Sequence, residues 1–138
     1  MRTLPAAPLL LARLVAGCDL IERPPLADDF GAPYTLLVGA PSGGDGSRAT
    51  PYISTNGELV VTVRYSGGCN EHFFGLRSTV KEGTAQLWLT HEDFGDACEA
   101  LREEMLTFQL SATVLAQPTI ELLLPGGQTV PLRTREDG

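Results

Sequence analysis

The sequence lacks the features that would mark a membrane-spanning protein, a nucleic-acid binder or a familiar enzyme. Beyond its N-terminal segment it has no run of about 18 consecutive apolar residues, so no transmembrane helix is predicted. Its 10 basic side chains form no cluster that could follow a phosphate backbone, and the formal net charge of −7 argues against a nucleic-acid partner. The Gly-x-Ser-x-Gly, His-Glu-x-x-His, Cys-x-x-Cys and Cys-x-x-Cys-His motifs are missing, so no enzyme class is predicted.

The chain has room for one folded domain. It contains 138 residues, of which 43% are apolar and 20% charged, close to the averages for globular proteins. A typical domain holds about 100 to 150 residues. The 15 glycines and 10 prolines separate short runs rich in threonine, valine, isoleucine and aromatic residues, which is typical of strands joined by turns. We therefore expect a single β-rich domain, at residues 34–133.

The first eighteen residues have the layout of an export signal. Arg2 precedes an apolar stretch, which ends in small residues before Cys18. Residues 14–18, LVAGC, resemble the lipobox of bacterial lipoproteins. The resemblance implies a signal peptide at residues 1–17, lipidation of Cys18, and a domain held on a membrane of the cell envelope, because two acyl chains anchor a protein stably. The alternative is an amphipathic N-terminal helix with a free cysteine.

Residues 18–33 are expected to tether the domain to the lipid. After the cysteine they contain three prolines and four acids without a sustained apolar period, which indicates an extended spacer. Cleavage of residues 1–17 would remove two arginines and no acids, changing the net charge from −7 to −9. Such a charge would hold the domain off an anionic membrane surface. Residues 134–138 are expected to be a disordered tail.

Hairpin signals define the predicted fold. Asn56-Gly57 lies between β-branched runs, which is the strongest short-range signal for a hairpin, and both turn residues should take positive φ. A second hairpin is expected at residues 119–133, where Pro131 places the last strand at a sheet edge. The glycine-rich residues 40–50 should form a mobile surface loop. We predict an all-β fold, an antiparallel β-sandwich of about seven short strands.

Residues 97–110 can be interpreted in two ways. Asp96 could cap a helical turn near residues 97–104, the start of a short helix that carries Leu101, Met105 and Phe108 at helical spacing. Alternatively, Leu106, Phe108 and Leu110 form the buried face of a strand. The favoured prediction is a helical or irregular turn followed by a strand.

Both histidines lie close in sequence to the two remaining cysteines. An exported domain meets an oxidising compartment and the lipid uses Cys18, so a disulfide between Cys69 and Cys98 is predicted. A zinc site of two thiolates and two imidazoles is the alternative. If the disulfide forms, His72 and His91 could still bind copper or zinc together with Asp93 or Asp96, or each histidine could simply be hydrogen-bonded at a strand end.

The segments GGC-x2-HFF, HEDFGDACEA and LTFQL resemble a group of small uncharacterised bacterial lipoproteins predicted to be β-sandwiches. The resemblance covers about half the chain and implies no activity and no cofactor. Our hypothesis is a non-catalytic envelope module that binds a protein, a glycan or a small ligand through loops at one end of the sandwich. The alternatives are a periplasmic copper- or zinc-binding protein that uses His72 and His91, and a small hydrolase with a carboxylate–histidine site.

Overall fold

The computed structural model of the protein describes residues 27–136. Within this range the chain forms eleven strands, one short α-helix and one 3-10 turn at Ala27–Phe30. The strands are β1 (Thr35–Leu36), β2 (Ala40–Ser42), β3 (Ser47–Ala49), β4 (Tyr52–Ser54), β5 (Glu58–Gly67), β6 (Phe73–Lys81), β7 (Thr84–Glu92), β8 (Ala100–Gln109), β9 (Thr119–Leu123), β10 (Thr129–Pro131) and β11 (Thr134–Arg135), and helix α1 is Ala112–Leu115.

Two sheets make up the sandwich. In the first, β5 pairs along its whole length with β8, and its other edge pairs with β1 and β4. The second sheet has the order β10-β9-β7-β6. Most pairs are antiparallel, while β7 with β9 and β4 with β11 are parallel. The predicted all-β sandwich is therefore confirmed.

The core lies between β5 of the first sheet and β7 of the second. Alternate residues of a strand point to the same face, and the inward residues of these two strands are at most 1% exposed. They are Leu59, Val61, Val63, Ala85, Leu87 and Leu89. Complete burial of an aliphatic side chain such as leucine or valine contributes about 1.5 to 3 kcal/mol, so this double row provides much of the stability of the sandwich.

The predicted hairpin between β4 and β5 is present, but its turn differs from the prediction. The Gly57 amide donates to the Ser54 carbonyl at 3.0 Å, and Gly57 has φ of 77°. Asn56 is not among the residues with positive φ, so that part of the prediction is wrong. The Ser54 hydroxyl accepts a hydrogen bond from the Glu58 amide, which supports this alternative turn.

The strand predicted after residues 97–104 is present, but the helical form of the turn before it is wrong. Strand β8 starts at Ala100 and pairs residue by residue with β5, from Gly67 opposite Ala100 to Glu58 opposite Gln109. Ten cross-strand pairs stabilise the extended conformation over a helix that local spacing alone would allow. Asp96 does not cap a helix, because its carboxylate serves the neighbouring loops.

The folded part also extends beyond the predicted boundaries. The sequence places residues 27–33 in the tether, yet Phe30 is buried and the Ala32 amide donates to the His91 carbonyl at 2.8 Å. Thr134 and Arg135 pair with β4, so they are not part of a disordered tail. The predicted loop at residues 40–50 contains the β2–β3 hairpin. The signal peptide, Cys18 and most of the predicted tether lie outside the described residues.

None of the helices in residues 27–136 has both the length and the apolar character needed to cross a membrane.

Candidate functional site

The cysteines and histidines meet at one end of the sandwich. Two loops lie there, residues 68–72 between β5 and β6, and residues 93–99 between β7 and β8. Cys69 and Cys98 join the loops in the disulfide predicted from the sequence, with their Cα atoms 5.8 Å apart. We call these two segments the disulfide loops.

The carboxylate of Asp96 organises both disulfide loops. Its side chain is fully buried. It accepts hydrogen bonds at 2.9 to 3.1 Å from four backbone amides, those of Gly68, Cys69, Asn70 and Cys98. These hydrogen bonds hold the pKa of the Asp96 carboxyl well below its usual range. The Asn70 amide has the largest effect, followed by the His72 ring. Asp96 is thus a carboxylate anion at neutral pH, inside a ring of N–H donors.

A chain of hydrogen bonds runs from Asp96 through both histidines. His72 Nε2 lies 2.9 Å from Asp96 Oδ2, and His72 Nδ1 lies 2.8 Å from His91 Nε2. His91 Nδ1 completes the chain at 3.1 Å from the Ala32 carbonyl. The His72 side chain and the whole of His91 are each 2% exposed, so the chain is closed to solvent.

The acceptors at both ends fix the ring protons. A carbonyl and an ionised carboxylate only accept, so His91 Nδ1 and His72 Nε2 must both donate. The contact between the rings needs a third proton, and the two rings together then carry one positive charge opposite Asp96. Burial lowers the pKa of His91. The geometry therefore assigns a neutral ring to His91, with its proton on Nδ1 toward the Ala32 carbonyl.

Aromatic side chains enclose the histidines. Phe74 stacks on His91 with the ring centroids 4.2 Å apart and the planes 2° from parallel. Tyr65 lies against His72 at 4.6 Å, and Tyr34 meets His91 edge-on at 5.9 Å. None of these aromatic residues was predicted to belong to the site. The burial of His91, in contrast, could be predicted from the sequence. Ala85, Leu87 and Leu89 alternate along the inner face of β7, and His91 is the next residue on that face.

The structure does not gather the predicted metal ligands. His72 and His91 do face each other, but Asp96 contacts the opposite nitrogen of His72. Asp93 accepts the Gly95 amide instead. In residues 27–136 the one group of three potential ligand atoms within 4.8 Å is Cys69, Asp96 and Cys98. Both sulfur atoms of that group are in the disulfide, which also removes the two-thiolate zinc site.

The predicted carboxylate–histidine pair exists, but without an available base. His72 and Asp96 are 2.9 Å apart, as a hydrolase would require. Both ring nitrogens of His72 and of His91 are engaged, and both side chains are buried. No ring nitrogen is therefore free to take a proton from a substrate.

A cleft of about 640 Å³ opens beside the histidines, between the first of the disulfide loops and β8. Its lining includes Tyr65, Asn70, Glu71, His72, Arg102 and Glu104. The Tyr65 hydroxyl donates to Glu104 at 3.0 Å. Burial is the larger cause, and this hydrogen bond the next, of a raised pKa for Tyr65. The Arg102 guanidinium makes no hydrogen bond or ion pair within the described part of the chain. The cleft therefore offers one unpaired cation beside an acidic side chain.

No protein-family model matches the chain, and no curated protein does. Among solved structures, the crystal structure of a NigD-like immunity protein from Bacteroides caccae is similar, with a TM-score of 0.48 and 18% sequence identity. The similarity covers 72% of this chain and 49% of that chain, so the match spans about half the length of the other protein. This similarity is too distant to identify a family.

Proposed function

We propose that the chain is a non-catalytic module, anchored to the cell envelope by a lipid, that binds a protein partner through the disulfide loops. The observation that carries this proposal is the construction of that end of the sandwich. The Asp96 carboxylate and the disulfide hold both loops in one conformation. A loop that is ordered before binding loses less entropy when the partner arrives.

Exposed aromatic rings at this end indicate a protein partner. Phe73 is 61% exposed and Phe94 is 66% exposed, and aromatic side chains dominate the binding energy of many protein interfaces. Phe94 also has φ of 52°, a left-handed conformation that is costly for a bulky residue. The Asn70 side chain donates to the Phe94 carbonyl at 3.2 Å and supports this conformation. A strained residue that holds an exposed ring is consistent with a binding contact.

The non-catalytic part of the proposal rests on the histidines. A general base needs a ring nitrogen within reach of the substrate. All four ring nitrogens of His72 and His91 are used inside the buried chain that ends at Asp96 and Ala32. This arrangement supports a structural role for both histidines.

Cross-linking tests the binding surface. The full chain, expressed in its native cells, would carry photo-reactive benzoylphenylalanine in place of Phe94 or, as a control, in place of Leu115. Leu115 is 39% exposed and lies in α1, after the far end of β8. We expect one predominant cross-linked envelope protein from position 94 and none from position 115. Equal products from both positions, or no product from position 94, would contradict the proposal.

Acyl labelling tests the anchor separately. Cells fed a clickable fatty acid should label the wild-type chain, and Cys18→Ser should abolish both the label and the recovery of the protein with membranes. A labelled Cys18→Ser variant, or an unlabelled wild type with residues 1–17 retained, would contradict the lipid anchor and leave the binding surface to be judged by cross-linking.

A further inference from the structure

Strand β8 has an edge that no other described strand covers. Its ten residues pair with β5, and its opposite edge is without a partner in residues 27–136. The strand contains neither proline nor glycine. Long unpaired edges of this kind are templates for another strand, and natural proteins usually block them. The edge of β8 is therefore open to a strand whose side chains complement its own.

The two faces of β8 carry complementary pairs of side chains. On the outer face Leu101 is 71% exposed and Met105 is 70% exposed, although both are large and apolar. On the inner face lie the unpaired Arg102 and, two residues further on, Glu104. Both pairs are symmetric about Glu103, which lies at the midpoint of each.

We propose that a second copy of this chain binds along β8, with the two β8 strands antiparallel and related by a two-fold axis at Glu103. Each Leu101 then lies opposite Met105 of the second copy, and each Arg102 lies opposite Glu104 of the second copy. Two apolar contacts and two ion pairs form at once, because a two-fold interface repeats each contact. The sheet that contains β5 and β8 in one copy would then continue into the same sheet of the second copy.

Charge selects this register over its neighbours. Side chains that lie directly opposite each other in an antiparallel pair point to the same face of the sheet. To keep both inner faces on one side, the two-fold axis must therefore pass through a residue and not between two residues. An axis at Arg102 would place two guanidinium groups opposite each other, and an axis at Glu104 would place two carboxylates opposite each other. Directly opposed like charges destabilise a strand pair. The axis at Glu103 is the one that pairs both cations with anions.

The two Glu103 side chains on the axis are each neutralised within their own chain. Arg64, the cross-strand neighbour on β5, contacts Glu103 at 2.7 Å. The Ser42 hydroxyl and the Gly43 amide also donate to this carboxylate, at 2.7 and 2.9 Å. These contacts lower the pKa of Glu103, and the hydrogen bond from Arg64 has the largest effect. Each carboxylate is therefore paired before the second copy arrives.

Cysteine cross-linking of the full chain tests the symmetry. Two Glu103→Cys strands would place their new thiols opposite each other, whereas Thr107→Cys thiols would lie about 26 Å apart, at roughly 3.3 Å per residue. Under mild oxidation we expect a covalent dimer from Glu103→Cys and none from Thr107→Cys, which is on the same face. Equal cross-linking of both variants would overturn the proposal, as would attachment of Glu103→Cys to a different protein.

Charge reversal tests the pairing. Arg102→Glu and Glu104→Arg should each weaken self-association by at least about tenfold, because each places like charges opposite each other. An equimolar mixture of the two variants should restore the dimer. In a mixed dimer the two substituted side chains face each other with opposite charges, and the native Glu104 of one copy faces the native Arg102 of the other. Sedimentation velocity measures both effects, and recovery in the mixture also shows that the variants are folded.

Tyr65→Phe controls for the hydrogen bond that Glu104→Arg removes, and it should leave the dimer intact. A wild-type chain that stays monomeric, or a mixture that does not reassociate, would overturn the proposal. The binding of a partner to the disulfide loops is judged by a different experiment, so either proposal can fail alone.

Discussion

The Nδ1 atom of His72 lies 2.8 Å from the Nε2 atom of His91. The second nitrogen of each ring is held by an acceptor, Asp96 for His72 and the Ala32 carbonyl for His91. Three ring protons satisfy this chain, so one buried positive charge lies beside one buried carboxylate. The chain ties the segment before β1 to β7 and to both disulfide loops.

Nitrogen-15 NMR of the histidine rings can check this protonation pattern. At neutral pH we expect a neutral His91 with its proton on Nδ1, because burial lowers the pKa of this ring and the Ala32 carbonyl can only accept a hydrogen bond. A His91 ring that is protonated on Nε2 alone, or on both nitrogens, at neutral pH would contradict the pattern.

Acid should destabilise the protein in two stages. The pKa of His91 is lowered from 6.5 and that of Asp96 from 3.8, so in both cases the unfolded chain binds more protons than the folded chain. The stability that His91 contributes is therefore fully present above pH 6.5 and is lost as the pH falls below that value, and the contribution of Asp96 is lost as the pH falls below 3.8. His72 and Asp93 are the charged groups that face His91.

Urea unfolding across this pH range measures both stages. Asp96→Asn should remove the second loss and should also destabilise the domain at neutral pH, because an amide accepts fewer of the four backbone N–H groups. Asp93→Asn is the matched control from the same loop, since that carboxylate accepts the Gly95 amide alone among backbone groups. An acid loss below 3.8 that survives Asp96→Asn would contradict the assignment.

Local signals predicted most of the fold but not β8. Asn56-Gly57 predicted the β4–β5 hairpin, and Pro131 predicted an edge strand, which β10 is. Around residues 97–104, Leu101 and Met105 fit the spacing of a helix as well as the outer face of a strand. The ten-residue partner strand β5 decides between them, and a distant partner leaves no trace in local spacing.

The sequence predicted which residues meet at the site better than it predicted the hydrogen bonds between them. The sequence placed His72, His91, Cys69 and Cys98 together, and the structure does bring them to one end of the sandwich. The contact between ring nitrogens depends on the register that sets Phe74 opposite His91. The role of Asp96 depends on how two separate loops turn their amides toward one point. Neither relationship can be derived from residue spacing.

Removal of the disulfide should destabilise the domain by about 3 to 4 kcal/mol in the chain-entropy model, given the 29-residue separation of its cysteines. The variant Cys69→Ser with Cys98→Ser, unfolded in urea, measures this loss. Wild-type protein treated with a reductant should show a similar loss, which controls for the serine side chains. Equal stability with and without the bond would show that the Asp96 contacts alone define the loops.

Tyr34→Phe isolates one hydrogen bond beside the histidines. The Tyr34 hydroxyl donates to the Leu89 carbonyl at 2.9 Å, while its ring packs against Phe74 and His91. The substitution keeps the ring contacts and leaves the carbonyl without this donor, so we expect a loss of about 1 kcal/mol in the free energy of unfolding.

Tyr52→Phe is the matched control for this prediction. The Tyr52 ring contacts Arg135, but its hydroxyl makes no hydrogen bond within the described residues, so its removal should change stability by less than about 0.5 kcal/mol. Burial raises the pKa of Tyr34 far above neutrality, and the phenol therefore stays a donor at every pH in ordinary use. The difference between the two variants should be the same at pH values on either side of the His91 transition. A difference that changes with pH would show that Tyr34 acts through the histidine protons and not through the Leu89 carbonyl.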